Sequence, residues 1–148
     1  MQRQSYPSLA LALGGILLIG LGLYFLFIRP ALLPEDPRFM GASLPEIQQT
    51  LPGLFLWLRR VFWVMGGFML SSGLLTLFIA VTAFQRAERS TRVFVALANL
   101  FSIGWMTVVN FMIDSDFKWL LLAFNLPWIV ALFLSWERVN RNAAVTSM

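Results

Sequence analysis

Apolar residues in this chain come in long blocks separated by short polar intervals. A membrane-crossing helix needs about 20 mostly apolar residues. Four stretches meet that requirement: residues 8–28, which carry no charge, then 61–84, 93–113 and 117–136. The second helix is expected to begin as early as residue 51, because Thr50 and Pro52 make a good helix start. No stretch alternates polar and apolar residues as a membrane strand does. Helices also satisfy their backbone groups internally, which lipid requires. The pattern therefore predicts an all-α fold: a single integral membrane domain over residues 1–148, built as a four-helix bundle. Arg3 ahead of the first block suits a signal peptide. However, the apolar run is long and "IRPALLPED" offers no small-x-small cleavage site, so a retained helix is expected.

Local signals refine the ends. Pro7 and Ser8 sit where a first helix would start. Ser90 or Thr91 is positioned to cap the third helix, and Asp116 the fourth. Pro127 removes a backbone donor inside the fourth span, which predicts a kink, with Asn125 placed to satisfy the disturbed backbone. Trp119 and Trp136 are 17 residues apart, about 25 Å along a helix, so one indole is expected near each interface.

The longest polar interval follows the first helix. "RPALLPEDPRFMG" should end that helix at Pro30, and Pro34 and Pro37 should keep the exit extended. In "ASLPEIQQTLPG", Ser43 and Glu46 have capping-box spacing, and Leu44, Ile47 and Leu51 recur on one face. A short amphipathic helix is expected in this first outer loop, on the membrane surface or over the bundle mouth.

Composition strengthens the membrane reading. The chain is 59% apolar and 12% charged, against about half and a quarter in a soluble domain. It contains neither Cys nor His. Thiolate chemistry, cysteine metal clusters and the commonest general base are thereby excluded, and no metal or cofactor is expected. The net charge of +4 does not point to nucleic acid, because the basic residues flank apolar blocks. It bears on orientation instead. Arg3, Arg86, Arg89, Arg92, Arg138 and Arg141 lie on one side, close to helix ends; Arg29, Arg38, Arg59, Arg60 and Lys118 lie on the other. The concentration at helix ends favours a bacterial inner-membrane protein with both termini cytoplasmic.

Small residues indicate how the helices meet. Gly15 and Gly22, and likewise Gly66 and Gly73, are seven apart, so each pair lies on one helix face. These faces are expected to meet each other, the alternative being a homodimer. The third span carries Asn99, Ser102, Thr107 and Asn110. At about 100° per residue the two asparagines point the same way, as bundle-facing hydrogen-bond partners or as the wall of a ligand cavity. Asn125 would join either arrangement.

Arg59 and Arg60 lie between Trp57 and Trp63. They read as interfacial anchors that snorkel to water, as an anion clamp, or as partners of Glu35 and Asp36. The acids Asp114 and Asp116 alone make a poor cation site. No acid lies inside a span, so an enzyme is disfavoured and no catalytic residue is assigned. The candidate ligand-binding residues are Arg59, Arg60, Asn99, Asn110, Asn125, Glu35 and Asp36.

The order of features, with "LRRVFWVMGGFMLSSGLL" at the glycine-rich second helix and a closing hairpin, resembles the small four-helix bacterial membrane proteins of the DoxX-like type. The resemblance implies the fold and no catalytic residue. Two functions remain. One is association, as an accessory subunit of a membrane complex or a homo-oligomer, with the bilayer, another membrane protein or a second copy as partner. The other is a binder, carrier or enzyme for a small lipophilic or anionic ligand at the outer mouth of the bundle.

Overall fold

The computed structural model describes residues 5–86 and 88–146, with side chains described as far as Glu137. Arg3 lies outside the described residues, as do the side chains of Arg138 and Arg141. The described chain is helical throughout, with α1 (Tyr6–Phe27), α2 (Glu35–Met40), α3 (Leu44–Thr50), α4 (Leu54–Val81), a 3-10 turn (Ala83–Arg86), and α5 (Arg89–Asn99). A π turn (Leu100–Gly104), α6 (Trp105–Met112), α7 (Lys118–Phe124) and α8 (Leu126–Thr146) follow. Four segments are long and apolar enough to cross a membrane: Tyr6–Phe27, Leu54–Arg86, Arg89–Met112 and Lys118–Glu137. The chain therefore has the character of a multi-pass membrane protein.

The first helix is the hub, packing along both α4 and α8. Glycines let α1 and α4 approach until their backbones touch. A Cβ on Gly22 would lie 2.8 Å from the Gly66 carbonyl oxygen, and one on Gly73 would lie 2.8 Å from that of Gly15. The two glycine faces thus meet each other, as their spacing predicts. On another side of α1, Gly14 makes room for the buried Trp128 indole, which a Cβ there would overlap at 2.5 Å. Leu11, Leu18, Ala80, Val95, Leu121 and Ala131 fill the core around these contacts. Large side chains such as Phe68, Phe78, Phe101 and Phe133 point outward, as in a protein whose solvent is lipid.

The fourth span is broken where Pro127 predicts. Helix α7 ends at Phe124 and α8 begins at Leu126. At the break the Asn125 backbone N–H bonds the Leu122 carbonyl, and its side-chain amide donates to the Leu121 carbonyl at 2.9 Å. The same amide donates to Thr107 Oγ1 at 2.9 Å, while the Thr107 hydroxyl donates to the Ile103 carbonyl. One buried asparagine thus repairs a helix break and ties the fourth span to the third.

Three local expectations are corrected. Pro34 and Pro37 do not hold an extended exit; Pro34 caps α2 with helical angles and Pro37 lies in its first turn. Proline is tolerated there because first-turn N–H groups have no helical acceptor. The third span starts at Arg89 with Glu88 as its N-cap, so neither Ser90 nor Thr91 caps it. Asp116 does not cap α7; Phe117 holds that position, and its N–H is bonded by Ser115 Oγ at 3.2 Å. The capping box of Ser43 and Glu46 does form at the start of α3, and it holds the Glu46 carboxyl below the usual range. In α3, Ile47 is buried and Leu44 exposed, and Leu51, at the C-cap, is exposed as well.

Candidate functional site: a side-opening cavity closed at one end by charge

Among the described residues helices α4 and α6 make little direct contact, and a cavity of about 940 Å³ is lined by both of them, with α1 and α7 contributing further parts of its wall. This is within the range of small-molecule pockets, about 300–1,000 Å³. Most of the wall is apolar: Leu21, Phe62, Met65, Met69, Met106 and Phe124 are representative. Phe68, Phe101 and Trp105 also line it and remain largely exposed, so the cavity opens sideways between α4 and the third span. At Gly20 a Cβ would meet nothing within 4 Å, in contrast to the crowded glycines facing α4.

All the charged groups of the wall gather at the end nearest the α1–α4 loop, Arg29, Glu35 and Asp36, beside Asn110 and Ser115. The chain reaches this arrangement by folding α2 back onto the turn between α6 and α7. That turn reverses sharply because Asp114 takes a positive φ of 53°. Asp adopts this conformation more readily than most residues. The Ser115 N–H bonds the Asn110 carbonyl at 2.9 Å, and the Asp114 N–H bonds that of Phe111, closing the helix end. Two contacts across some eighty residues then fasten the loop: the Ser115 hydroxyl donates to Glu35 Oε1 at 2.9 Å, and Arg38 pairs with Asp116 at 2.9 Å. Lys118 pairs with Asp114 one turn away.

Glu35 is the unusual member. It is 2% exposed, and its second oxygen, Oε2, is buried with no hydrogen-bond partner among the described residues. A buried carboxylate oxygen without a donor is costly. Arg29 is also enclosed, lying 3.5 Å from the Phe62 ring centroid and 5.2 Å from that of Phe25, with Asp36 at 3.8 Å. Burial lowers the Arg29 pKa and Asp36 opposes that shift; guanidinium remains charged regardless. Asp36 Oδ2 also accepts the Leu33 N–H at 2.8 Å. Arg29 is thus neutralised by Asp36, whereas Glu35 has a hydroxyl for company and, among the described residues, no cation within 4 Å.

The candidate residues from sequence separate into three groups. Glu35, Asp36 and Asn110 line the cavity. Asn125 is buried beside it in the Thr107 contact. Arg59 and Arg60 are exposed elsewhere on α4, with Arg60 over the Trp63 ring at 4.6 Å, and they line no part of the cavity. Their pairing with Glu35 and Asp36 is corrected: among the described residues no ion pair joins them, because Ser115 and Arg29 lie closer to those acids.

The common face expected for Asn99 and Asn110 is also corrected. The π turn at Leu100–Gly104 falls between them and adds a residue to the helix, which turns the downstream part by about 100°. Gly104 makes room for this wide turn, since a Cβ there would press on the Asn99 carbonyl at 3.0 Å. Asn110 reaches the cavity and donates to the Met106 carbonyl; Asn99 does not reach it, and its Oδ1 is buried without a partner among the described residues.

Sequence reasoning missed Arg29, Ser115 and the burial of Glu35. A buried acid does face the apolar interior, brought there by a loop rather than carried within a span. The signal for Arg29 was its place between the first apolar block and Pro30, but nothing ranked it above the other arginines. Compared with known protein families, curated proteins and solved structures, the chain matches none.

Proposed function

We propose that this protein holds a lipophilic molecule in the side-opening cavity between α4 and α6. The four spans would form a bundle in the bacterial inner membrane with both termini cytoplasmic. The polar end of the cavity would then lie at the outer leaflet, with α3 along the membrane surface, and the likeness to DoxX-like proteins stands as part of the same proposal. The carrying observation is a cavity of about 940 Å³ that opens between two helices and ends in Arg29, Glu35, Asp36, Asn110 and Ser115. An apolar chain would enter from the bilayer, and its head would stop at the charged end.

The test is a native mass spectrum of protein extracted in mild detergent. A retained small molecule is expected on the wild type. Gly20→Phe should abolish it, because a side chain at residue 20 projects into the cavity. Gly67→Phe should not, because residue 67 has equal free space but lies outside the cavity. Equal retention by all three proteins would reject the proposal.

A second reading is association, as an accessory subunit or homo-oligomer. It is favoured by Phe68 and Phe101, which flank the opening and are each 72% exposed. A helix from a partner would cover them. Under this reading a protein of fixed mass co-purifies in mild detergent and is lost on Phe68→Ser/Phe101→Ser, and no small molecule is retained.

A further inference from the structure

We infer that the closed end of the cavity selects an amphiphile whose head is a hydrogen-bond-donating cation, and that Glu35 is the residue that receives it. The inference rests on the cavity being a ligand site and adds the chemistry of the head. Glu35 belongs to the cavity wall, is almost wholly buried, and leaves Oε2 without a donor among the described residues. Its neighbours are already committed. Arg29 is paired with Asp36 and stacked on Phe62, Arg38 is paired with Asp116, and Lys118 with Asp114. The favourable charge at Arg29 comes first from Asp36, with Glu35 a smaller contributor.

Counting the charged side chains at the cavity end gives Arg29 against Glu35 and Asp36, one positive and two negative. The missing charge is positive and the missing hydrogen bond is a donor. An ammonium at the end of an apolar chain supplies both, a hydroxyl supplies the donor alone, and a carboxylate supplies neither. Oε2 has almost no accessible surface in this arrangement, so receiving the head requires the carboxylate to turn about its terminal torsion, which is broad for glutamate. Away from this end the cavity wall is apolar apart from the hydroxyls of Tyr24, Ser72 and Ser102, none of which carries a charge to compete for the head.

Three probes with one chain and different heads test this: hexadecylamine, hexadecanol and hexadecanoate, titrated into the full-length protein in zwitterionic nanodiscs. Affinity is read against Gly20→Phe as the blank. The expected order is amine, then alcohol, then carboxylate, with the amine about tenfold or more tighter than the carboxylate, as one charge-assisted hydrogen bond implies. Glu35→Gln keeps an acceptor for Ser115 and removes the charge; it should cut amine binding about tenfold and leave the alcohol within about twofold. The wild-type ranking carries the test even if that variant folds poorly. Equal binding of all three probes, or tightest binding of the carboxylate, overturns the head selection while leaving a chain-binding cavity intact. Absence of binding by every probe removes the cavity proposal and this inference with it.

Discussion

Helix α4 meets the rest of the molecule in two contrasting ways. Toward α1 it presents Gly66 and Gly73, and the two backbones touch. Toward the third span it presents Phe62, Met65, Phe68 and Met69, and there the helices stand apart around a cavity. The side of α4 with the smallest side chains makes the closest contact, and the side with the largest encloses the most space. In lipid this is the expected outcome. No hydrophobic drive pulls leucine and phenylalanine together, so helices adhere where backbones come within van der Waals and hydrogen-bonding reach. Bulky faces are equally content against lipid tails, and between two of them a cavity for an apolar ligand can persist.

The most severe way to break this comparison is to place the same side chain on both sides of α1. Gly22→Leu drives a branched side chain into the α4 backbone, where a Cβ alone sits 2.6 Å from the Leu70 nitrogen. Neither backbone can yield cheaply, and a loss of about 3 kcal/mol or more is expected. Gly20→Leu, two residues away, enters open space. It should be neutral or stabilising by up to about 1 kcal/mol through helix propensity. Denaturant unfolding in detergent micelles, followed by circular dichroism, measures both. Equal losses would mean that the cavity side of α1 is as crowded as the α4 side.

Smaller effects should appear beside the cavity, where the fourth span meets the third. Asn125→Ala removes the amide that serves both the Leu121 carbonyl and Thr107. A buried carbonyl left without its donor costs about 1–3 kcal/mol. Thr107→Val removes only the cross-helix partner, and such bonds in membrane helices average about 0.6 kcal/mol. The same unfolding experiment should therefore rank Asn125→Ala well above Thr107→Val. The reverse order would show that the bond between spans, rather than repair of the helix break, is the main task of Asn125.

The mildest effect concerns the turn that fastens the loop. Lys118 donates to Asp114 and holds its carboxyl below the usual range. A group whose folded pKa is depressed contributes stability above its unfolded pKa and loses it as pH falls through the folded value. The turn should therefore survive acidification through the ordinary aspartate range and loosen only below it. A carbon-detected titration of Asp114 measures the midpoint, which Lys118→Gln should return to the ordinary value. An unchanged midpoint in that variant would show that Lys118 does not govern the carboxyl.

How much of this was legible in the sequence follows the same division. The spans announce themselves as apolar blocks, the Gly15/Gly22 and Gly66/Gly73 contacts as seven-residue spacings, and the break at Asn125 as Pro127. Each is a signal carried within one segment. The closed end of the cavity is different. Glu35 meets Ser115, and Arg38 meets Asp116, across 80 and 78 residues. No local rule ranks Ser115 above another small polar residue. Arg29, Arg59 and Arg60 look alike as loop-side arginines, and only the path of α2 decides which one is enclosed. The polar stripe failed for a geometric reason: helical periodicity projects Asn99 onto Asn110 only if no π turn intervenes, and Gly104 marks that turn too faintly to be read alone.

The central claim is that the space between α4 and α6 exists for a ligand. An experimental structure of the protein in lipid nanodiscs, purified without added amphiphile, tests it most directly. The account predicts elongated density running past Gly20 between Phe68 and Phe101, with its head within hydrogen-bonding distance of Glu35. Direct packing of Phe68 against Phe101, with α4 and α6 closed together and no space between them, would contradict it.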